Sequence, residues 1–115
     1  MNTTTKPCAV QAGARKFEVD DSLENVFDFF DDACAKGWTD GLPVYPPTDR
    51  AVNAMLRYTD RDRHEVVAKI PPRDGAATVE KIAINAVMAG CRPEYLPVLI
   101  TAVEAMVESA YNLYG

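Results

Sequence analysis

The sequence contains few of the residues from which enzymes build metal sites and charge-relay systems. His64 is the only histidine, so we expect neither a histidine-based triad nor a multi-histidine metal site. Because His64 lies among charged residues, we favour a solvated side chain over a general base or a metal ligand. Cys8, Cys34 and Cys91 are odd in number and include no CxxC pair, which argues against a disulfide framework and a zinc ribbon.

Long apolar runs and basic clusters are also missing. No segment approaches the roughly 18 apolar residues of a membrane-spanning helix, and the N-terminal residues lack the apolar centre of a signal peptide. The 12 Lys and Arg residues are scattered and are outnumbered by 17 Asp and Glu, giving a net charge of -5. We therefore predict a cytoplasmic protein with reduced thiols that binds neither membranes nor nucleic acid.

Helical periodicity accounts for most of the chain. With 115 residues, we predict a flexible N-terminal arm over residues 1–15 and a single helical domain over residues 16–115. The predicted fold class is mainly α, with about four helices and at most a small strand pair. We expect the helices at about 22–36, after the capping residue Thr48, from Thr78 to Gly90, and from Pro93 to about Ala110, and short strands at 16–19 and Val66–Ile70.

The fourth predicted helix is apolar on almost every side. A helix with so little polar surface must be covered on most sides, and a domain of this size has little with which to cover it. We therefore predict that the chain is part of a larger heteromeric assembly. The apolar positions are Tyr95, Leu96, Val98, Leu99, Ile100, Ala102, Val103, Ala105, Met106, Val107 and Ala110.

Cys91 is the first candidate for chemistry. The sequence places it at or just before the start of the fourth helix, with Arg92 beside it, and both features would stabilise a thiolate. The alternative is structural, because cysteine is often buried and a short turn between helices suits a small apolar side chain. On position alone we favour the structural interpretation.

The proline-rich segment "GWTDGLPVYPP" is a second candidate. Its prolines fix the shape of a loop, on which Trp38, Asp40 and Tyr45 either line a pocket or partner surface or seal the core. Asp28, Asp31 and Asp32 share one side of the first helix at a spacing that suits Mg²⁺. We favour a solvated helix face for these carboxylates and predict no metal site.

Three blocks of the sequence resemble a known family: "TDGLPVYPPT", "ATVEKIAINAVMAGCRPEYLPVLITAVEAM" and the terminal "YNLYG". They are similar to the N-terminal third of a little-characterised bacterial family that is associated with UGSC-motif thiol or selenoproteins. The resemblance implies that the chain is the first part of a larger protein, encoded separately or released by cleavage after Gly115. The chain itself contains no UGSC motif.

The resemblance also directs attention to particular residues. Glu80, Lys81 and Asn85 recur in the family, and within a complex they could line a cavity, although on an isolated helix they are ordinary solvent-facing residues. We predict a catalytic set and a substrate-binding set at an interface between subunits. The catalytic set is Cys91, Asn85, Lys81 and Glu80, and the substrate-binding set is Trp38, Asp40, Tyr45, Arg92 and Tyr95.

The predicted function is that of the small subunit of a hetero-oligomeric bacterial enzyme. A second, larger subunit would complete the active site, and thiol-dependent lyase, hydrolase or redox chemistry would act on a small organic molecule. The alternative is a non-catalytic assembly module that docks a partner protein through its C-terminal helix. A third possibility is a free-standing monomer that binds a small molecule. The residues identify no cofactor.

Overall fold

The computed structural model describes the backbone of residues 23–115 and the side chains from residue 26 onward. The predicted arm at 1–15 and the predicted strand at 16–19 lie outside the described residues. In chain order, the elements are α1 (Leu23–Ala35), α2 (Asp49–Leu56), β1 (Val66–Ile70), β2 (Gly75–Thr78), α3 (Val79–Met88) and α4 (Leu96–Met106), with short 3-10 helices at Pro93–Tyr95 and Ser109–Tyr111. The predicted fold class, mainly α with about four helices and a small strand pair, is confirmed.

Two threonines begin the central helices. Thr48 accepts a hydrogen bond from the backbone N–H of Ala51, and Thr78 accepts one from Lys81, each at 3.2 Å. Such N-caps satisfy backbone donors that have no partner within the helix. The two helices pack against each other and provide most of the main core cluster, together with two residues of α4. Its buried members are Val52, Met55, Val79, Ile82, Ala83, Ile84, Ala86, Val87, Leu96 and Ile100.

A β-hairpin stands between α2 and α3. The strand predicted at Val66–Ile70 is present as β1, and it pairs antiparallel with β2, a strand that the sequence analysis did not locate. The turn between them contains Asp74 with a φ of 51°, followed by Gly75. An Asp-Gly pair is a common hairpin signal, and it is the sequence feature from which the second strand could have been predicted. Because β2 runs directly into the Thr78 cap, the hairpin is joined to α3 without a linker.

The C-terminal helix is shorter than predicted and is largely uncovered. A 3-10 turn at Pro93–Tyr95 precedes α4, which ends at Met106 rather than near Ala110. Only Leu96 and Ile100 of α4 are buried, whereas the side chain of Val98 is 69% exposed. Within the described part of the chain, α4 thus has one side against the core and an apolar side with no protein over it.

Arg61 joins the segment before β1 to α4. Its Nη1 donates to Glu104 Oε1 at 2.6 Å, and its Nε and Nη2 donate to Glu65 Oε1 at 3.1 and 2.7 Å. Hydrogen bonding to Glu65 and then to Glu104 raises the pKa of Arg61, and the same guanidinium holds the pKa of Glu65 below its usual value. Glu104 is the only charged residue in the α4 sequence, so this ion pair engages the one charge that the helix carries.

Candidate functional site

An apolar groove with a volume of about 640 Å³ lies between the hairpin, α3 and α4. Aliphatic side chains form most of its walls, and among the described residues Lys81 is the only charged one that lines it. The groove brings together three of the four predicted catalytic residues, Lys81, Asn85 and Cys91. The remaining lining residues are Ile70, Gly75, Ala76, Ala77, Ile82, Ala86, Ala89, Leu99, Ala102, Val103 and Met106.

Lys81 and Asn85 are polar residues in the lining of the groove. Lys81 Nζ donates to the backbone carbonyl of Ala76 at 3.0 Å, which connects α3 to β2. Asn85 Nδ2 donates to the carbonyl of Lys81 at 2.8 Å, one turn back along its own helix. The ammonium group of Lys81 is half-buried and has no carboxylate partner among the described residues. These two side chains therefore place a cation and an amide beside an apolar surface.

Glu80 does not line the groove, although it was predicted with the catalytic set. Its Oε1 accepts a hydrogen bond from Arg63 Nη2, and its Oε2 lies 3.9 Å from His64 Nδ1. Its backbone N–H donates to the carbonyl of Arg63 at 2.9 Å. Consecutive residues on a helix point in different directions, so Glu80 fixes α3 to the preceding loop while Lys81 reaches the groove. His64 is exposed, as expected.

Cys91 is a half-buried free thiol that follows the C-terminus of α3. The backbone N–H of Gly90 donates to the Val87 carbonyl, and the N–H of Cys91 donates to the Ala86 carbonyl, each at 2.9 Å. This pair of bonds is a Schellman motif, in which the residue after the glycine commonly packs on the last turn of the helix. Cys91 does pack against the core cluster, so the structure provides the structural role that the sequence analysis favoured.

Cys91 also lines two cavities. Besides the groove, Cys91 lines a second cavity of about 380 Å³, with Tyr45, Thr48, Arg50 and Pro93 among its other walls. It lies before the 3-10 turn at Pro93–Tyr95, and α4 itself begins at Leu96. The N-terminus of α4 is therefore further from the thiol than the sequence suggested, and whether Cys91 reacts stays a prediction.

The candidate residues are spread along the groove. Lys81 lies in the first turn of α3 and Met88 is its last residue. At about 1.5 Å per residue, these positions are roughly 10 Å apart along the helix axis, and Cys91 lies beyond Met88. Asn85 lies between the two ends. This separation along α3 suits an elongated ligand better than a compact catalytic centre.

The proline-rich segment separates its three predicted binding residues. The backbone N–H of Tyr45 donates to the Met88 carbonyl at 3.0 Å, which attaches the segment to the end of α3 and places Tyr45 at the second cavity. Asp40 Oδ1 accepts the N–H of Leu42 at 3.3 Å within a local turn. Trp38 lies against Phe29, with ring centroids 6.5 Å apart. Trp38 and Asp40 line neither cavity.

Arg92 and Tyr95 also lie outside both cavities. Arg92 Nε is 3.1 Å from Glu94 Oε1, and both side chains are largely exposed. Tyr95 is 49% exposed in the 3-10 turn. Among residues 26–115, no group of three or more possible metal-ligating side chains comes together, and Asp32 pairs with Lys36. The helices described are too short or too polar to cross a bilayer.

Gly90 is the position at which the backbone leading to Cys91 is most constrained. Its φ is 75°, and an added Cβ would lie 3.0 Å from Cε2 of Tyr45. We expect Gly90→Ala to lower the free energy of unfolding by about 1–2 kcal/mol, because a side chain is unfavourable in the left-handed region. Chemical denaturation measures the change. Gly75→Ala is the matched control, because a Cβ there meets no atom within 4 Å. An equal loss of stability in both variants would contradict the special requirement for glycine at position 90.

No family model matches the chain, and the searches of curated proteins and of solved structures also gave no match. What the protein does is therefore inferred from its own residues and from the geometry of the groove.

Proposed function

We propose that this protein is the smaller subunit of a hetero-oligomeric enzyme. In this assembly, a second, larger polypeptide covers the groove between the hairpin, α3 and α4. The enclosed space holds a small organic molecule, on which Cys91 performs thiol-dependent lyase, hydrolase or redox chemistry. The observation that carries the proposal is the groove itself, an apolar cavity whose lining residues include Cys91, Lys81 and Asn85.

The exposed part of α4 supports the requirement for a partner. Val98 is 69% exposed, and Thr101, Ala102 and Ala105 are exposed on the same helix. None of these side chains is charged, and the single charge of α4 is engaged by Arg61. Large uncharged surfaces of this kind on soluble proteins are commonly interaction sites. The apolar surface continues from the groove across the helix, so one partner can cover both.

A second candidate is a non-catalytic assembly module. It is favoured by the Schellman motif, which gives Cys91 a structural role without any reaction. In both candidates the partner docks on the same surface. They differ only in whether the thiol reacts, so docking and turnover have to be measured separately.

Docking is tested by placing a charge in the groove. Ala102 is exposed on α4 and lines the groove, so Ala102→Glu would bury a carboxylate without a counter-ion when a partner binds. We expect the variant to bind the second subunit at least tenfold more weakly, about 1.4 kcal/mol, and to unfold as the natural sequence does. The second subunit is sought first in the coding sequence beside this one, and titration calorimetry measures the affinity.

The control adds the same charge elsewhere. Asn53 is exposed on α2 and lines neither cavity, so Asn53→Glu should leave the affinity unchanged. If the second subunit binds the Ala102→Glu variant and the natural sequence with equal affinity, the groove is not part of the interface. A failure of any second polypeptide to bind would remove the proposal as a whole.

A further inference from the structure

We infer that the groove binds an elongated, apolar carboxylate, with the carboxylate group at Lys81 and the chain extending along α3 towards Cys91. The inference rests on the proposed function only for the reaction that would follow. Binding itself is a property of this chain, because the walls of the groove and the cation at its end all belong to residues 70–106. The inferred ligand is also the class of molecule on which the proposed enzyme acts.

The charge of the groove selects an anion. Within the part of the chain that the structure describes, Lys81 is the only charged residue in the lining, and its ammonium is half-buried with only the Ala76 carbonyl as a hydrogen-bond acceptor. An ammonium has three donors, so two remain after that bond. A carboxylate accepts charge-assisted hydrogen bonds from such a group, and these are stronger than bonds between neutral groups. A neutral ligand would leave the half-buried charge without a counter-ion.

The backbone N–H groups at the N-terminus of α3 do not provide the anion site. The backbone N–H of Val79 donates to the Glu65 carbonyl at 3.1 Å, and that of Glu80 donates to the Arg63 carbonyl at 2.9 Å. The N–H of Lys81 donates to Thr78 Oγ1. The first three amides of α3 are therefore already engaged, and the ammonium of Lys81 is what remains to meet an anion.

The other walls select an apolar chain. Besides Lys81, the described lining contains Asn85 and Cys91, and its other residues are aliphatic, apart from Gly75 and Met106. The volume of about 640 Å³ falls within the range of roughly 300–1,000 Å³ that is typical of small-molecule sites. Because Lys81 lies in the first turn of α3 and Cys91 follows the end of that helix, a ligand anchored at the ammonium must extend along α3 before it reaches the thiol. A short carboxylate is held at Lys81 but does not reach Cys91.

The probes are butanoate, octanoate and octanol, each titrated into the full chain while amide signals are followed by NMR. We expect octanoate to shift the signals of groove residues such as Ala86 and Val103 in a saturable way. It should bind at least tenfold more tightly than butanoate, because four more methylene groups are buried. Octanoate should also bind more tightly than octanol, because only the carboxylate pairs with Lys81.

Substitutions at Lys81 separate charge from shape. Lys81→Gln should weaken octanoate binding by about tenfold and leave octanol binding unchanged, whereas Lys81→Arg should keep octanoate affinity within about threefold of the natural sequence. Lys69→Gln removes an equal charge from an exposed position on β1 that does not line the groove, and it should have no effect. Far-UV circular dichroism verifies that each variant folds.

Several results would overturn the inference. They are the absence of saturable shifts in the groove, equal affinity for octanoate and octanol, and an equal loss of octanoate affinity in the Lys69→Gln and Lys81→Gln variants. Groove signals that move with protein concentration, without ligand, would show that a second copy of the chain occupies the groove instead. Ligand binding to the free chain and assembly with a partner are separate measurements. If octanoate does not bind, the proposed subunit role is still decided by the affinity for the second subunit.

Discussion

Leu96→Ala is expected to lower the free energy of unfolding by about 3 kcal/mol, within the 2–5 kcal/mol range that such core truncations usually cost. Leu96 is the first residue of α4 and its side chain is fully buried. Removing its outer atoms loses buried apolar surface and leaves a cavity against the core. Because small domains are stable by only about 5–15 kcal/mol, a loss of this size is a large share of the total. Urea denaturation measures it through the transition midpoint.

The matched control lies two residues along the same helix. Val98 is 69% exposed, so Val98→Ala should change the free energy of unfolding of the isolated chain by less than about 0.5 kcal/mol. The comparison reports which side of α4 faces the core, and every proposal about the groove depends on that orientation. Equal losses in the two variants would mean that α4 is covered on both sides, and the case for a partner would fail.

Local sequence features predicted the helical framework well. The threonine caps at Thr48 and Thr78 and the left-handed glycine at Gly90 are short-range signals that act within one helical turn, and the structure uses all three. The apolar excess of α4 was also visible, because it depends only on composition along one helix. Those features are decided by residues close together in the chain.

Other features depend on contacts between distant segments and were missed. The strand β2 is short and rich in Gly and Ala, so its own propensity is weak, and pairing with β1 determines its conformation. Its residues Ala76 and Ala77 then form a wall of the groove that the sequence analysis did not anticipate. Glu80 was grouped with Lys81 and Asn85 on the family resemblance, but the loop before β1 supplies Arg63 as its partner. Neither outcome follows from helical spacing alone.

The structure also changes how the candidate residues relate to one another. Asn85 and Lys81, four residues apart, lie on one side of α3, as i,i+4 pairs do, and Cys91 lies beyond the other end of the same helix. This spacing along α3 favours separate roles for Lys81 and Cys91 over direct action of Lys81 on a group bound at Cys91. In the function that we propose, Lys81 recognises the charged end of the ligand and any covalent chemistry takes place at the thiol of Cys91.

Cys91→Ser decides between the two candidate functions. Serine has nearly the same size and keeps the backbone N–H that closes the Schellman motif, so the fold and the docking surface should persist. If the thiol is the reacting group, turnover by the assembled complex should fall at least a hundredfold, about 3 kcal/mol of barrier, because a neutral hydroxyl is a much weaker nucleophile and redox group than a thiol. The measurement is the steady-state rate of the complex, at protein concentrations that keep it fully assembled.

Cys34→Ser provides the control for this measurement, because Cys34 is an exposed thiol at the end of α1 and lines neither cavity. Cys34→Ser should leave turnover unchanged. This result would show that a loss of turnover in the Cys91→Ser variant is not a general effect of losing a thiol. Unchanged turnover in the Cys91→Ser variant, with intact assembly, would mean that Cys91 has only a structural role at the end of α3. That result would favour the assembly module. A large loss confined to Cys91→Ser would mean that one residue both ends α3 and reacts, which requires substrate to reach the half-buried thiol through the groove.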